Sequence, residues 1–365
     1  MRDAEALLRD PSTHGILPSQ ALEAAFALAW IDGPAPAAGQ IQPASLDLRL
    51  GNVAYRLPFS FLPGRGHSVA AAVERHAMHT LRLDDAAVLE RGCVYLVPLA
   101  EGLRLPPHVT ASANPKSSTG RLDVFARVIA DRATEFDRIP AGYAGPLWVE
   151  LAPRTFSIKV RPGSRLVQLR LRAGDATFAA DELDQLNQET PLARPAVALR
   201  QGLVAFHVDT LGDGTGPIAY RARKHAGLID VDAPRAHPAA AFWEEIHPRP
   251  GGGLVLDPDD FYILASKERV VVPPGAAAEM VAYDTLVGEF RVHYAGFFDP
   301  GFGFPDGTRA VLEVRSHEVP FLLDDGQLVG HLNYERMAAI PSQLYGEGLG
   351  SHYARQDLTL SKHFA

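Results

Sequence analysis

The second half of this chain repeats the first. Phe206-His-Val-Asp-Thr-Leu-Gly212 followed by Ala219-Tyr-Arg221 echoes Ser45-Leu-Asp-Leu-Arg-Leu-Gly51 followed by Ala54-Tyr-Arg56. Leu256-Asp257, Tyr262 and Pro273-Pro274 echo Leu83-Asp84, Tyr95 and Pro106-Pro107. Val311-Leu-Glu-Val314 echoes Trp148-Val-Glu-Leu151. Matching Asp209 to Asp47, Tyr262 to Tyr95 and Glu313 to Glu150 gives offsets of 162, 167 and 163 positions. Several echoes in one order, at nearly constant spacing, imply two copies of one fold.

Each copy is written in short strands. Leu46, Leu48 and Leu50 alternate with Asp47 and Arg49, the pattern of a half-buried strand closed by Gly51. Val94-Tyr-Leu-Val-Pro-Leu99, Pro146-Leu-Trp-Val-Glu-Leu151, Ile158-Lys-Val160 and Arg165-Leu-Val-Gln-Leu-Arg-Leu171 follow, punctuated by many of the 29 prolines and 32 glycines. Strands with turns and no alternating helices predict a mainly β protein of two tandem jelly-roll or barrel domains. The exception is the first 30 residues, where apolar side chains recur on a helical period after Ser19, a candidate cap. The expected organisation is a first domain over 1–175, an acidic, proline-containing linker over 176–199, a second domain over 200–340 and a tail over 341–365.

Composition narrows the function classes. Net charge is −8, with no dense Lys/Arg block, which argues against a nucleic-acid or anionic-membrane surface as the main partner. The one cysteine, Cys93, excludes an intrachain disulfide framework and a thiolate metal cage. The fourteen histidines show no metal-ligand spacing, so a zinc hydrolase is not expected. The start, Met-Arg-Asp-Ala-Glu, lacks the apolar core of a signal peptide, and a cytoplasmic protein is the expectation.

The copies differ where chemistry would sit. Lys116-Ser-Ser-Thr-Gly-Arg121 sets two hydroxyls between two cations in a turn, a donor-rich pocket for a polyanion such as a triphosphate. Its place in the second copy is taken by Val281-Ala-Tyr-Asp-Thr-Leu-Val-Gly288. Conversely, His293-Tyr-Ala-Gly-Phe-Phe-Asp-Pro-Gly-Phe302 is a cleaner turn than Glu135-Phe-Asp-Arg-Ile-Pro-Ala-Gly-Tyr143. Glu150 and Glu313 stand on apolar strands where a carboxylate is out of place, and a buried one needs a partner, for which Arg121 is a candidate. Complementary loss of this kind fits a site shared between copies.

These stretches resemble the dCTP deaminase family of the dUTPase-like superfamily. The resemblance rests on Pro43-Ala-Ser-Leu-Asp-Leu-Arg-Leu-Gly51, the Lys116–Arg121 loop, Asp137-Arg-Ile-Pro-Ala-Gly-Tyr-Ala-Gly145 leading to Glu150, and Arg161-Pro-Gly163. In the second copy it runs from Val292 through Phe302 to Glu313, and then through the tail Tyr345–Gln356. It implies a distorted jelly roll, a trimer-like ring of copies, and hydrolytic deamination of dCTP to dUTP and ammonia. It also implies that Lys116, Ser117, Ser118 and Arg121 hold the phosphates, and that Glu313, with Glu150 as its counterpart, is the general base. His293, Tyr294, Ala295 and Asp299 would shape the base and sugar pocket, and Tyr353, Gln356 and Lys362 would belong to a closing tail. Magnesium would accompany the triphosphate, without zinc. Two other readings stay open: a dUTP diphosphatase or bifunctional enzyme, and a non-catalytic nucleotide-binding regulator.

Overall fold

A computed structural model of the chain describes residues 2–200, 202–281, 290–293, 296–316, 319–346 and 356–365. It forms two compact units: Met1–Ala176 with Leu228–Pro234 and Arg336–Gln343, and Thr177–Gly227 with Arg235–Glu335 and Leu344–Ala365. The acidic stretch after Ala176 carries a helix, Ala180–Glu189, whose Leu183 is buried.

In the first unit one antiparallel sheet runs in the order His79–Arg82, Val53–Leu57, Val94–Arg104, Ala144–Pro153, Val124–Ala130, with Ile31–Asp32 also on Val94–Arg104. A second sheet centres on Val167–Ala173 and Val109–Pro115, with Leu46–Leu48 and Gly15–Ile16 on one side and Arg138–Ile139 on the other. A small third sheet pairs Ala87–Leu89 with Ile158–Val160. The second unit repeats this plan in its main strands. Trp243–Ile246, Ala219–Ala222, Phe261–Val270, Thr308–Ser316 and Phe290–His293 form one sheet, with Ala193–Arg194 also on Phe261–Val270. Leu199–Arg200, Leu203–His207, Leu328–Arg336, Ala276–Val281 and Phe297–Phe298 form another, and Leu254–Leu256 pairs with Phe321–Leu323.

Small bonds repeat too. The Tyr95 hydroxyl accepts from Glu90 N at 3.1 Å, and the Tyr262 hydroxyl accepts from Asp257 N at 3.0 Å. Glu101 accepts from Arg49 N at 2.8 Å, and Glu268 accepts from His207 N at 2.7 Å. Both glutamates are almost fully buried. The core of the second unit draws on both of its large sheets, with Phe206, Leu264, Leu312, Val329 and Leu332 each at most 1% exposed.

The bonds correct two echoes. Gly51 N donates to Pro98 O, whereas Asp209 N donates to Ala265 O, so Asp209 holds the place of Gly51. Ala205 is therefore the counterpart of Asp47 in the second copy, four residues from the match that the letters suggest. Likewise Leu256 is the counterpart of Leu89, not Leu83, because each pairs across its small sheet at the same position. Asp47 is not on a solvent face either; it is 1% exposed. At the amino end two helices form, Arg2–Arg9 and Ser19–Ala27, and Ser19 is the first helical residue of the second, which Pro18 precedes. The Ser19 hydroxyl bonds to Gln20 and Ser342 instead of capping.

In the first unit Ile229–Asp230 lies parallel against Ile158–Val160. Both terminal nitrogens of Arg161 donate to Asp230 at 2.6 Å, and the hydrogen bonds from Arg161 pull the Asp230 carboxyl down to about 2. A depressed carboxyl pKa stabilises the fold above the unfolded value near 3.9 and loses that contribution as pH falls toward the folded value. Asp230→Asn should therefore lower the melting temperature by a few degrees at pH 7. The gap from the unchanged chain should close between about pH 4 and pH 2. A gap independent of pH would show that charge plays no part.

Candidate active site

The loop after Val109–Pro115 sets the first group of residues. Lys116 is extended, and Ser117–Gly120 make a single helical turn. Lys116 N donates to Leu166 O at 3.0 Å and the Thr119 hydroxyl to the same oxygen at 2.8 Å, pinning the turn to the neighbouring strand. The N–H groups of Thr119, Gly120 and Arg121 close bonds inside the turn, to Lys116 O and Ser117 O. These backbone donors thus serve the loop itself, and recognition of an anion falls largely to side chains. Ser118 and Arg121 are 5% and 2% exposed, and Ser117 and Lys116 are half-buried.

The Lys116 ammonium forms an ion pair with buried Asp47. Sequence reasoning missed this partner. The signal was present in the alternating strand, but Asp47 reads there as an outward residue; only the strand's place beside the loop turns it into a counter-ion.

Glu150 lies in Ala144–Pro153, opposite Leu96 on one side and Arg127 on the other. Glu313 lies in Thr308–Ser316, opposite Ile263 and His293. The two carboxylates hold the same position in the two sheets, and they are 5% and 4% exposed. Burial pushes the Glu150 carboxyl upward, partly offset by hydrogen bonds from the Ser60 side chain and Phe61 backbone and by the Arg127 charge. Its Oε2 atom is buried with no hydrogen-bond partner among the described residues. The Arg127 guanidinium stacks over Phe125 and Phe136, at 5.1 and 4.8 Å. Arg127 also escaped the sequence reading, because register is what sets it across from Glu150.

The turn Asp299-Pro-Gly301 is built into the second unit. Asp299 is 7% exposed, and Tyr345 N donates to Pro300 O at 2.8 Å. Gly301 has φ +96, and a Cβ there would stand 2.9 Å from Leu344 Cβ, so glycine is required. Gln356 is buried: its N donates to the Thr308 hydroxyl at 2.8 Å and its Nε2 to Arg309 O at 3.0 Å, fastening it to the start of the Glu313 strand. Lys362 O accepts from Arg235 N, and Phe364 packs against Phe242 and Trp243. Residues 356–365 are thus docked in their unit, while Tyr353, Tyr294 and Ala295 lie outside the described residues.

The structure groups Lys116, Ser117, Ser118 and Arg121 in one turn, and Glu313, His293 and Gln356 around one strand. Two clefts of about 440 and 600 Å³ are lined by other residues, among them Arg221 with Glu244, and Asp32 with Glu101. Among the described residues no three His, Cys, Asp or Glu are grouped to hold a metal ion, and no helix is long and apolar enough to cross a membrane.

Comparisons with known proteins bear on this arrangement. Residues 13–175 match the model of the 2′-deoxycytidine 5′-triphosphate deaminase N-terminal domain, and residues 179–364 match that of its C-terminal domain. A solved structure, the 2′-deoxycytidine 5′-triphosphate deaminase from Agrobacterium tumefaciens, is 53% identical, covers 90% of this chain and all of that one, and superposes with a TM-score of 0.86. A Halobacterium salinarum protein named dCTP deaminase, dUMP-forming, is 32% identical over 111 residues, 29% of this chain and 54% of its own. A Halorubrum lacusprofundi protein named dCTP deaminase is 29% identical over 132 residues, 36% of this chain and 62% of its own. The chain thus spans about half the length of the first of these curated relatives.

Because the pKa of Glu150 is raised in the fold, its ionisation opposes folding, and the penalty grows as pH climbs through the carboxylate range. Glu150→Gln should melt above the unchanged chain at pH 8, and the two should converge near pH 4. A lower melting temperature of Glu150→Gln than of the unchanged chain at pH 8 would contradict the burial argument.

Proposed function

The chain belongs to the 2′-deoxycytidine 5′-triphosphate deaminase family, and from that premise we propose that it hydrolyses the 4-amino group of dCTP, giving dUTP and ammonia. The observation that carries the reading is the buried carboxylate repeated at one register position, Glu150 and Glu313. A carboxylate buried in an apolar strand is costly unless it is paired, hydrogen-bonded or protonated, and its presence in both copies is what a general base would account for.

In this reading Glu313 takes a proton from water as the water's oxygen attacks C4 of cytosine. The proton passes to N3, and a further transfer lets the C4–N4 bond break so that ammonia leaves and a C4 carbonyl remains. Burial favours the neutral acid and so moves a carboxyl toward the working pH of a general base. Lys116, Ser117, Ser118 and Arg121 hold the triphosphate, with the hydroxyls as donors and the two cations as counter-charge. Release of Lys116 from Asp47 to a phosphate would exchange one anion for another. Magnesium belongs to the substrate as its triphosphate complex. His293 and Asp299 shape the base and sugar pocket.

A second reading is favoured by the names of the relatives, several of which are dUMP-forming. It has the same first step, followed by loss of pyrophosphate. Product analysis separates the two: ammonia with dUTP supports the first, and ammonia with dUMP and pyrophosphate the second. Binding of dCTP without either product would remove both.

Glu313→Gln should lower kcat about 10²–10⁴-fold, the usual share of a general base, and leave dCTP binding intact. Glu150→Gln should be milder. Full activity in Glu313→Gln excludes Glu313 as the base; loss confined to Glu150→Gln would give the role to the other copy.

A further inference from the structure

Lys116 carries its charge on a flexible four-carbon stem, and nothing in the stem holds the ammonium in one place. Another strand supplies that hold. Asp47, Gln168 and Asn114 stand in one row across Leu46–Leu48, Val167–Ala173 and Val109–Pro115. Lys116 follows Asn114 by two residues in extended backbone. It therefore emerges on the face that carries Asp47, and it pairs with that carboxylate across the central strand.

Asp47 is itself clamped. Its N–H donates to Gln40 O at 2.9 Å, and its carbonyl accepts from Gln40 Nε2 at 2.9 Å. Gln40 is fully buried and also donates to Glu101 at 2.8 Å, which in turn takes Arg49 N and Nε at 2.8 and 2.6 Å. The Asp47 side chain is 2% exposed and that of Lys116 19%, so the buried partner is the anchor and the lysine is what it holds. Asp47 Oδ2 takes the ammonium, while Oδ1 is buried with no hydrogen-bond partner among the described residues. A buried carboxylate satisfied at one oxygen is a cost to the fold.

The second copy lacks both members of the pair. Ala205 is the counterpart of Asp47, and Val281-Ala-Tyr-Asp-Thr-Leu-Val-Gly288 takes the place of the Lys116–Arg121 stretch. With alanine there, Leu203–His207 still pairs along its length with Leu328–Arg336. The sheet thus has no need of a carboxylate at this position, and the carboxylate is present only in the copy that has the serine turn.

We infer that Asp47 is a positioning residue for the triphosphate, holding the Lys116 ammonium in place while that group binds a phosphate oxygen; this rests on the reading of Lys116 as a phosphate ligand. An ammonium has three donors, so it can keep Asp47 and take a phosphate as well. Exchanging one anion for another gains little attraction. Keeping both means that a long side chain is already ordered when the ligand arrives. Asp47 also places a negative charge near the phosphates, which opposes binding. Positioning and repulsion predict opposite signs for the same substitution, and that makes the role measurable.

The test is Asp47→Asn, which removes the charge and keeps the shape, with Asp47→Ala, the residue of the second copy, beside it. Thermal melting checks that each folds. Inhibition of dCTP turnover by inorganic tripolyphosphate reads the phosphate loop alone, and inhibition by deoxycytidine reads the rest of the site. Both variants should raise the tripolyphosphate Ki and the KM for dCTP about three- to tenfold, the effect of one side chain left to be ordered on binding. The kcat should stay within about twofold and the deoxycytidine Ki should not move. Lys116→Arg should hold tripolyphosphate at least as tightly as the unchanged chain, because a guanidinium fork can take both Asp47 oxygens, and should lose that affinity when combined with Asp47→Asn. Lys116→Met separates this inference from the reading beneath it. If the tripolyphosphate Ki does not rise in Lys116→Met, the lysine binds no phosphate, and the loop reading fails together with the inference. If it rises there while the Asp47 variants leave it unchanged or lower it, the loop reading stands and the inference is overturned. A deoxycytidine Ki that rises equally, or failure of both Asp47 variants to fold, makes Asp47 a structural residue and also overturns it.

Discussion

A carboxylate in the middle of an apolar strand is the constraint on which the rest of this structure turns. Glu150 and Glu313 are nearly inaccessible, and each sits between two strands of its main sheet. Removing an unpaired carboxylate from water costs several kcal/mol, and the protein answers by hydrogen bonding, by a neighbouring cation or by protonation. In the first unit all three answers are visible: Ser60 and Phe61 as donors, Arg127 across the ladder, and an upward shift of the acid. The surrounding strands must be rigid and well packed for such a group to persist, and the core residues of the second unit meet that need.

Duplication gives the two copies freedom to differ in what surrounds that carboxylate. The ladder is common, but Arg127 stands at the register position that His293 holds in the other copy. The connection to the next paired strand is also unequal. Arg138 is eleven positions beyond Arg127, whereas Phe297 is four positions beyond His293. The longer connection in the first unit meets the loop that supplies Ser60 and Phe61, through the Gly64 and Arg132 bonds. The first copy has thus covered its carboxylate with its own chain while retaining the Lys116–Arg121 turn.

Much of this was legible in the letters. The Ala54-Tyr-Arg56 and Ala219-Tyr-Arg221 strands, the two Pro-Pro turns and the two glutamates hold equivalent positions, each in its own unit, as the letters suggest. What failed was register. The match of Asp209 to Asp47 is wrong by four residues and that of Leu256 to Leu83 by six. A shift by an even number keeps every side chain on the same face of a strand, so hydrophobic alternation cannot detect it. The hydrogen bonds from Gly51 and Asp209 can.

Local pattern alone determined that this is a mainly β chain made of two like parts, because alternation and turn chemistry are properties of neighbours in sequence. It also located the serine-containing turn and both strand glutamates, since a polar residue out of pattern is visible without coordinates. Tertiary structure decided which charges meet: Lys116 with Asp47, Arg127 across from Glu150, and Asp230 with Arg161. Those partners are 69, 23 and 69 residues apart, and only the packing of strands fixes which of many distant charges comes within reach.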